Sequence, residues 1–279
     1  MTALPNTPTP RPLPIPEQSK PGEQLFLPGM DEVMRAMPNH IARSSLFAPV
    51  ARGRRKLHAD LVLVSRNDAE ITFMGKQLDE AQADVWMQAI YEASRHNLGE
   101  RITINRGEFL RALGRPGGGS QYDWLHQAFQ DLDFGRIKIE VYKDGKKKYS
   151  IGHTKWLHLI TLEEYNAEAE EYSFRVDPRW SALYGNREFA LIDWDKRLSL
   201  GRGQDMAKTI QRLLAASSDD RQSFALDWLK KKLEYTSPMR KFRESLAKAM
   251  EEMQRVDLVR KWEFSKSAKG NSQITIWPA

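Results

Sequence analysis

Residues 223–259 read SFALDWLKKKLEYTSPMRKFRESLAKAMEEMQRVDLV and carry the clearest pattern in the chain. Two helical patterns meet there at the break EYTSP, residues 234–238. In the second pattern, apolar residues recur at steps of three and four, which places them on one face of a helix. That face consists of Met239, Phe242, Leu246, Ala249, Met250 and Met253. The sequence therefore predicts two amphipathic helices joined by a short turn.

The second of these helices has a clear start signal and an unusual charge placement. Ser237 can cap it by accepting a backbone N–H, and Pro238 suits its first position. Arg240, Lys241 and Arg243 follow, where the helix dipole disfavours each cation by roughly 0.3–1 kcal/mol. A polyanion at that end would reverse the balance, and this layout is that of a helix-turn-helix, whose second helix enters the DNA major groove. The alternative is an amphipathic helix with ordinary solvated cations.

If the helix reads DNA, its arginines and its lysines are expected to make different contacts. Arginine pairs bidentately with guanine edges, so we expect Arg240 and Arg243 to contact bases. Lys241 and Lys248 are expected closer to phosphates. The lysines that end the preceding helix are also predicted to contact phosphates, and these are Lys230, Lys231 and Lys232.

An earlier part of the chain predicts a second unit with the same order of elements. Its predicted elements are strands at 61–64 and 70–73, helices at 79–96, 106–113 and 121–132, and a hairpin of strands at 136–142 and 148–151. Asp144 and Gly145 supply the turn of the hairpin, because a two-residue turn needs positive φ angles. Two helices followed by a basic hairpin is the winged-helix order. The DNA contacts predicted for this unit are Ser120, Gln121 and Tyr122 at the helix start, and Lys146, Lys147 and Lys148 at the wing tip.

The glycine-rich segment GRPGGGS at 114–120 is not a phosphate-binding Walker A loop. It follows a predicted helix instead of a strand, and no lysine comes after its glycines. We predict that it forms the turn of the first helix-turn-helix.

Length and composition set the domain plan. The chain has 279 residues and a net charge of +6, which suits two domains and a polyanionic partner. Eight of the fourteen prolines lie in residues 1–30. The predicted fold class is α+β, with two tandem winged-helix domains at 58–176 and 177–279. They follow a disordered proline-rich arm at 1–57, which holds a short helix at 31–37 and a basic linker containing Arg52, Arg54, Arg55 and Lys56.

No constellation for catalysis stands out. The chain has no cysteine, so thiolate metal sites and cysteine nucleophiles are excluded. His153 and His158 are five residues apart in a predicted strand region without a third ligand, so no metal or cofactor is expected. We predict a protein that is not an enzyme. No apolar run approaches the roughly 20 residues that span a bilayer, and we expect a cytoplasmic location.

Three stretches carry a family resemblance. The segments MRAMPN at 34–39 and ARSSLF at 42–47, together with residues 224–259, resemble the TrfA-type plasmid replication initiators. The resemblance implies a protein that binds direct repeats, called iterons, at a plasmid origin. It also implies help in opening adjacent A+T-rich duplex, recruitment of host proteins without nucleotide hydrolysis, and exchange between monomers and dimers. The alternatives are a transcriptional regulator with the same fold and a nuclease or strand-transfer enzyme.

The same family carries an N-terminal peptide, Gln-Leu-Ser/Asp-Leu-Phe, that docks on the host sliding clamp. The matching positions here are Gln24, Leu25, Phe26, Leu27 and Pro28. The glutamine and both leucines match, whereas Phe26 replaces the small polar residue and Pro28 the final aromatic. Implied partners are double-stranded origin DNA, single-stranded A+T-rich DNA, the sliding clamp, the helicase and the host initiator.

Overall fold

A computed structural model describes residues 27, 30–50, 55–66, 68–184 and 188–279. The helices are α1 (Asn39–Arg43), α2 (Glu80–Ala93), α3 (Arg106–Ala112), α4 (Gly119–Phe134), α5 (Ser181–Tyr184), α6 (Trp194–Ser199), α7 (Asp205–Ala215), α8 (Leu226–Lys232) and α9 (Met239–Arg255). The first strands are β1 (Met34–Pro38), β2 (Phe47–Ala48), β3 (Leu57–Val62), β4 (Ala69–Lys76), β5 (Leu78–Asp79), β6 (Ile102–Asn105), β7 (Arg136–Lys143) and β8 (Lys146–Ile151). The later strands are β9 (Leu157–His158), β10 (Thr161–Asn166), β11 (Glu171–Arg175), β12 (Phe189–Asp193), β13 (Gln222–Ala225), β14 (Val259–Lys266) and β15 (Ser272–Pro278).

The second domain has the predicted winged-helix arrangement. Helix α7 is followed by β13, then by α8 and α9, and then by the hairpin of β14 and β15. The three strands form an antiparallel sheet in the order β13-β15-β14. The predicted apolar face of α9 is confirmed, because Phe242, Leu246, Ala249, Met250 and Met253 are all buried.

The first domain repeats this plan with an insertion. Helix α2, strand β6 and helices α3 and α4 come in the same order, and the three-stranded sheet β10-β11-β6 corresponds to β14-β15-β13. The wing of this domain is therefore the hairpin of β10 and β11. Between α4 and this hairpin the chain adds β7, β8 and β9, which belong to another sheet.

The sheet that contains β7 and β8 shows that the predicted wing of the first domain is wrong. Its strand order is β3-β4-β7-β8, with β9 paired to the other part of β7. The β3–β4 pair was predicted correctly, with Leu61 opposite Phe73. The β7–β8 turn is also as predicted, since Asp144 and Gly145 have φ angles of 52° and 72°. However, β7 pairs with β4 over six residues, so this hairpin is part of a larger sheet and is not the wing.

Part of the predicted disordered arm is folded. Residues 34–38 form a strand, not the predicted helix, and pair with β12, so that Ala36 lies opposite Leu191. Met37, Ile41 and Phe47 are fully buried in the first hydrophobic core, and Leu27 is only 3% exposed. A strand whose partner lies about 150 residues away cannot be recognised from local sequence. Most of the remaining arm lies outside the described residues.

Two hydrophobic cores divide the chain. The first extends from Leu27 to Trp194, and the second from Leu200 to Ile276, with Ala216 belonging to the first. The cores therefore change over between Trp194 and Leu200, later in the chain than the predicted boundary at 177. No helix among the described residues is long and apolar enough to cross a membrane.

Candidate nucleic-acid interface

The turn between α8 and α9 fixes the direction of the second helix. Glu234 has a positive φ of 48°, which reverses the chain after α8. The ring of Tyr235 lies 5.3 Å from that of Phe242, and the Tyr235 hydroxyl lies 2.9 Å from Ser245 Oγ. The turn is thus tied to the first two turns of α9, and the two helices form one rigid helix-turn-helix.

The N-terminus of α9 has no side-chain cap. The capping residue is Pro238 instead of the predicted Ser237, and no side chain bonds to the first N–H groups. The Phe242 N–H donates to the Pro238 carbonyl at 3.0 Å, so the three preceding N–H groups have no acceptor within the helix. The first turn also contains no acidic residue. This end of the helix is therefore electrostatically suited to an anion.

Three of the predicted cations of α9, Arg240, Lys241 and Arg243, lie in its first two turns, and Lys248 lies in the third. Arg240, whose side chain is 80% exposed, donates to Glu244 at 2.9 Å. Lys241 and Lys248 are exposed, whereas Arg243 is half-buried. The Arg243 guanidinium lies 4.4 Å from the ring centre of Phe264 on β14, which holds it between the helix and the wing. A side chain held by such a contact is suited to reading a base.

The wing of the second domain adds cations that sequence reasoning missed. Lys266 and Lys269 are exposed at the turn between β14 and β15, and Arg260 and Lys261 are exposed at the other end of β14. The hairpin was predicted, but its lysines were not assigned to DNA. The available signal was two lysines at the tip of a hairpin that follows a helix-turn-helix.

The three lysines at the end of α8 have different environments. Lys231 is exposed and Lys230 half-buried, so both remain available to phosphate. Lys232 is fully buried, and its ammonium donates to the Ser44 carbonyl at 2.8 Å. Burial, reinforced by the nearby charge of Arg212, lowers the pKa of Lys232 to about 7. The prediction that Lys232 contacts phosphate is therefore wrong, because its side chain points into the protein.

The first domain presents a comparable helix N-terminus. Helix α4 begins after Gly118, whose φ of 133° favours glycine, and it has neither a side-chain cap nor an acidic residue in its first turn. Ser120 is exposed, while Gln121 and Tyr122 are half-buried. Sequence reasoning missed two arginines here. Arg115 donates to Gln121 Oε1 at 3.2 Å, and the Arg106 guanidinium lies 3.9 Å from the Tyr122 ring.

The lysines of the β7–β8 hairpin do not belong to a wing that follows α4. Lys147 is 2.7 Å from Glu140, and Lys148 is 2.6 Å from Glu188 just before β12. Lys148 lines a cleft of about 180 Å³ together with Asn39, His40, Arg43 and Glu188, among others. The assignment of Lys146, Lys147 and Lys148 to a DNA-binding wing is therefore corrected. They lie on the inserted sheet, and two of them already have carboxylate partners.

The true wing of the first domain is acidic. Residues 161–171 contain five glutamates and no lysine or arginine. Glu170 accepts from Arg106 at 2.6 Å, and Glu168 is exposed at the turn. Glu163, Glu164 and Glu170 are paired with Arg175, Arg101 and Arg106. The excess negative charge of this wing is therefore that of Glu168 and Glu171, which would repel a phosphate backbone, in contrast to the basic wing of the second domain.

The predicted docking peptide is only partly visible. Gln24, Leu25 and Phe26 lie outside the described residues. Leu27 is buried in the first core. Among the described residues, no group of three or more His, Asp or Glu side chains is placed to hold a metal ion.

Two tandem winged-helix units of α+β composition, with cations at the N-termini of their second helices, define the structural class of the protein. Solved structures support this fold. Domains 2 and 3 of RctB superpose with a TM-score of 0.53 and 12% sequence identity, covering 87% of this chain and 98% of that one.

The family follows from the sequence comparison. The TrfA protein family matches residues 24–265, and the chain belongs to that family. The plasmid replication initiator protein TrfA of Escherichia coli is 24% identical over 237 residues, which cover 82% of this chain. The match spans 59% of the length of that relative.

Proposed function

We propose that this chain is a plasmid replication initiator that binds iteron repeats at its origin and acts through binding alone, without catalysis. It would help to open adjacent A+T-rich duplex and recruit host replication proteins in the cytoplasm, where the plasmid resides. The observation that carries the proposal is the uncapped, acid-free N-terminus of α9, surrounded by Arg240, Lys241 and Arg243. Membership of the TrfA family supports it.

The charge distribution supports an unequal division of work between the domains. In the second domain, α9 carries cations at its N-terminus, and the hairpin that packs against Arg243 carries the exposed Lys266 and Lys269 at its turn. This arrangement suits a helix in the major groove and a wing on the backbone. In the first domain the N-terminus of α4 and the nearby Arg115 are placed to add contacts, whereas Arg106 already pairs with Glu170 and the wing carries five glutamates. We therefore assign base reading mainly to α9 and additional contact to α4.

Host contacts belong to the same proposal. Gln24 and Leu25 would anchor the N-terminal peptide on the sliding clamp, and Leu27 would have to leave the first core to join them. Fully burying a leucine side chain contributes roughly 1.5–3 kcal/mol. The free energy lost when Leu27 leaves the first core would therefore be nearly offset by the free energy gained when it is buried in the clamp. The helicase, the host initiator, single-stranded A+T-rich DNA and a second copy of the chain complete the proposed partners.

The DNA assignment is tested with Arg243→Ala. Fluorescence anisotropy would measure affinity for an origin duplex and for a scrambled duplex at matched salt. A base contact predicts a loss of about 1–3 kcal/mol on origin DNA and a much smaller loss on scrambled DNA. The control is Arg255→Ala, the same change at the other end of α9. Equal losses on both duplexes would contradict base reading by Arg243.

The initiator role is separated from a simple transcriptional regulator by replication itself. A plasmid carrying only the origin would be introduced into a host that supplies this chain in trans. Wild type should maintain the plasmid, whereas Arg243→Ala should lose it. A chain that binds the origin tightly but never maintains the plasmid would be a regulator instead.

A further inference from the structure

We infer that Glu80 is a positioning residue that locks the two domains in one orientation, so that the protein accepts only one spacing between the DNA segments read by α4 and α9. This inference rests on the proposed function, because it concerns how both helices meet one DNA site. It starts from a buried cluster of charges between the domains.

Glu80 lies on α2 of the first domain and is fully buried, and its partners come from the second half of the chain. Arg197 on α6 donates to Glu80 Oε2 at 2.7 Å, and Thr209 on α7 donates to Oε1 at 2.7 Å. Arg212, also on α7, donates to both carboxylate oxygens. Arg197 and Arg212 are themselves fully buried, so one carboxylate joins two cations that water does not reach.

A second carboxylate on the same helix extends the cluster. Asp84, one turn after Glu80, accepts from Arg197 Nε at 2.5 Å and from Lys208 at 2.7 Å. Arg197 therefore bridges two consecutive turns of α2. Such a bridge fixes both the distance between the helices and their rotation, because each guanidinium N–H has its own direction.

The helix-turn-helix of the second domain is anchored in the same way. Lys232, the last residue of α8, donates to the Ser44 carbonyl between α1 and β2. Two residues later, Glu234 in the turn before α9 accepts from the Gln77 amide, which lies between β4 and β5. The turn that aims α9 is thus held by side-chain bonds to the first domain.

The Glu80 carboxylate stays charged across the physiological pH range. Burial alone would raise the pKa of Glu80, but Arg212 and Arg197 outweigh it and hold the pKa at about 2. The carboxylate is therefore charged wherever the protein works. An apolar interface would tolerate sliding, whereas directional bonds between buried charges do not, because displacement would leave charges unpaired in a medium of low dielectric constant.

Fixed domains should make DNA binding depend on the spacing between the two segments that the protein contacts. Each inserted base pair moves the second half of a site by about 3.4 Å and rotates it by about 35° around the helix axis. A protein with fixed domains cannot move α4 relative to α9 to match the new positions, so it should bind DNA of altered spacing more weakly. A protein with loosened domains can move them, and it should bind the different spacings with similar affinity.

The test measures affinity against spacing. Footprints of the isolated wild-type complex define the two contacted segments of an origin repeat, and duplexes with one to three base pairs inserted or removed between them are then titrated. Wild type should lose at least about tenfold in affinity for each altered spacing. Glu80→Gln should bind the duplex of native spacing with a modest loss of affinity. Its affinities for native and altered spacings should differ by less than about threefold. Glu108→Gln, the same change at an exposed carboxylate on α3, should behave as wild type.

A distance measurement provides a readout independent of DNA. Because the chain has no cysteine, spin labels introduced by Gln130→Cys on α4 and Glu251→Cys on α9 are the only thiol labels. The distance distribution between them should be narrow in the wild-type background and broad with Glu80→Gln. If Glu80→Gln does not fold, as judged by circular dichroism, Asp84→Asn replaces it with the same expectations.

The outcomes separate this inference from the proposed function. A narrow distribution and unchanged spacing selectivity in a folded variant would overturn the lock. If wild type binds no origin DNA, the proposed function fails, and the spacing-dependent role of Glu80 fails with it. The distance distribution would still report whether Glu80 fixes the domain orientation.

Discussion

Replacing Lys232 by methionine should change how stability depends on pH. The Lys232 ammonium is fully buried at the end of α8 and makes one hydrogen bond, to the Ser44 carbonyl. Burial and the charge of Arg212 lower its pKa from 10.5 in the unfolded chain to about 7 in the fold. Between these values the unfolded chain binds one more proton than the folded protein, so raising the pH stabilises the fold.

The magnitude follows from the two pKa values. A gap of about 3.5 pH units corresponds to about 5 kcal/mol, at about 1.4 kcal/mol per unit. The penalty for charging Lys232 is fully present below about pH 7 and disappears as the pH approaches 10.5. Lys232→Met cannot be charged, so its free energy of unfolding should lack this contribution.

The assay is urea unfolding at a series of pH values from about 7.5 to 9.5. Over that range wild type should gain about 3 kcal/mol relative to Lys232→Met. Lys231→Met changes the exposed neighbour and should keep the wild-type slope. If Lys232→Met and wild type show parallel curves, the ammonium is not held in a buried site, and the correction to the phosphate-contact prediction would be refuted.

Further expectations concern the second wing and the N-terminal peptide. Changing Lys266 and Lys269 together to alanine should weaken binding to all duplexes alike and reduce the slope of log affinity against log salt by about 2, as measured by anisotropy at several salt concentrations. A sequence-dependent loss would point to base contact instead. Leu27→Ala should destabilise the first domain by about 2–3 kcal/mol in thermal unfolding, because Leu27 is buried in its core. Leu25→Ala should leave stability unchanged but weaken capture of a purified sliding clamp, and unaltered capture would exclude Leu25 as an anchor.

Local patterns predicted the helix-turn-helix units well. The apolar face of α9 and the β3–β4 pair follow from periodicity over a few residues, and both are confirmed. Non-local pairing was not predictable in this way. Strand β1 pairs with β12, which lies about 150 residues later in the chain. Strand β7 pairs with β4 as well as with its hairpin partner β8. Alternation shows that a segment is a strand but does not identify its neighbour in the sheet.

The candidate site shows the same limit. Arg240 and Arg243 are predicted to contact DNA because a cation at a helix N-terminus is unusual. Lys232 was misassigned because it shares a run of three lysines, and only the packing of α8 against Ser44 distinguishes it from Lys231. Glu80 gave no signal, since a glutamate at the start of a helix is ordinary, and its partners on α6 and α7 lie more than a hundred residues away.

We propose that this chain reads repeated DNA at a plasmid origin. The most direct measurement is a nuclease footprint of the intact protein on the origin of its own plasmid. We expect protection repeated at regular intervals of roughly 20 base pairs, about two turns of a helix of 10–10.5 base pairs, and we expect Arg243→Ala to abolish it. A single protected site, or protection of the whole fragment without periodicity, would contradict this proposal.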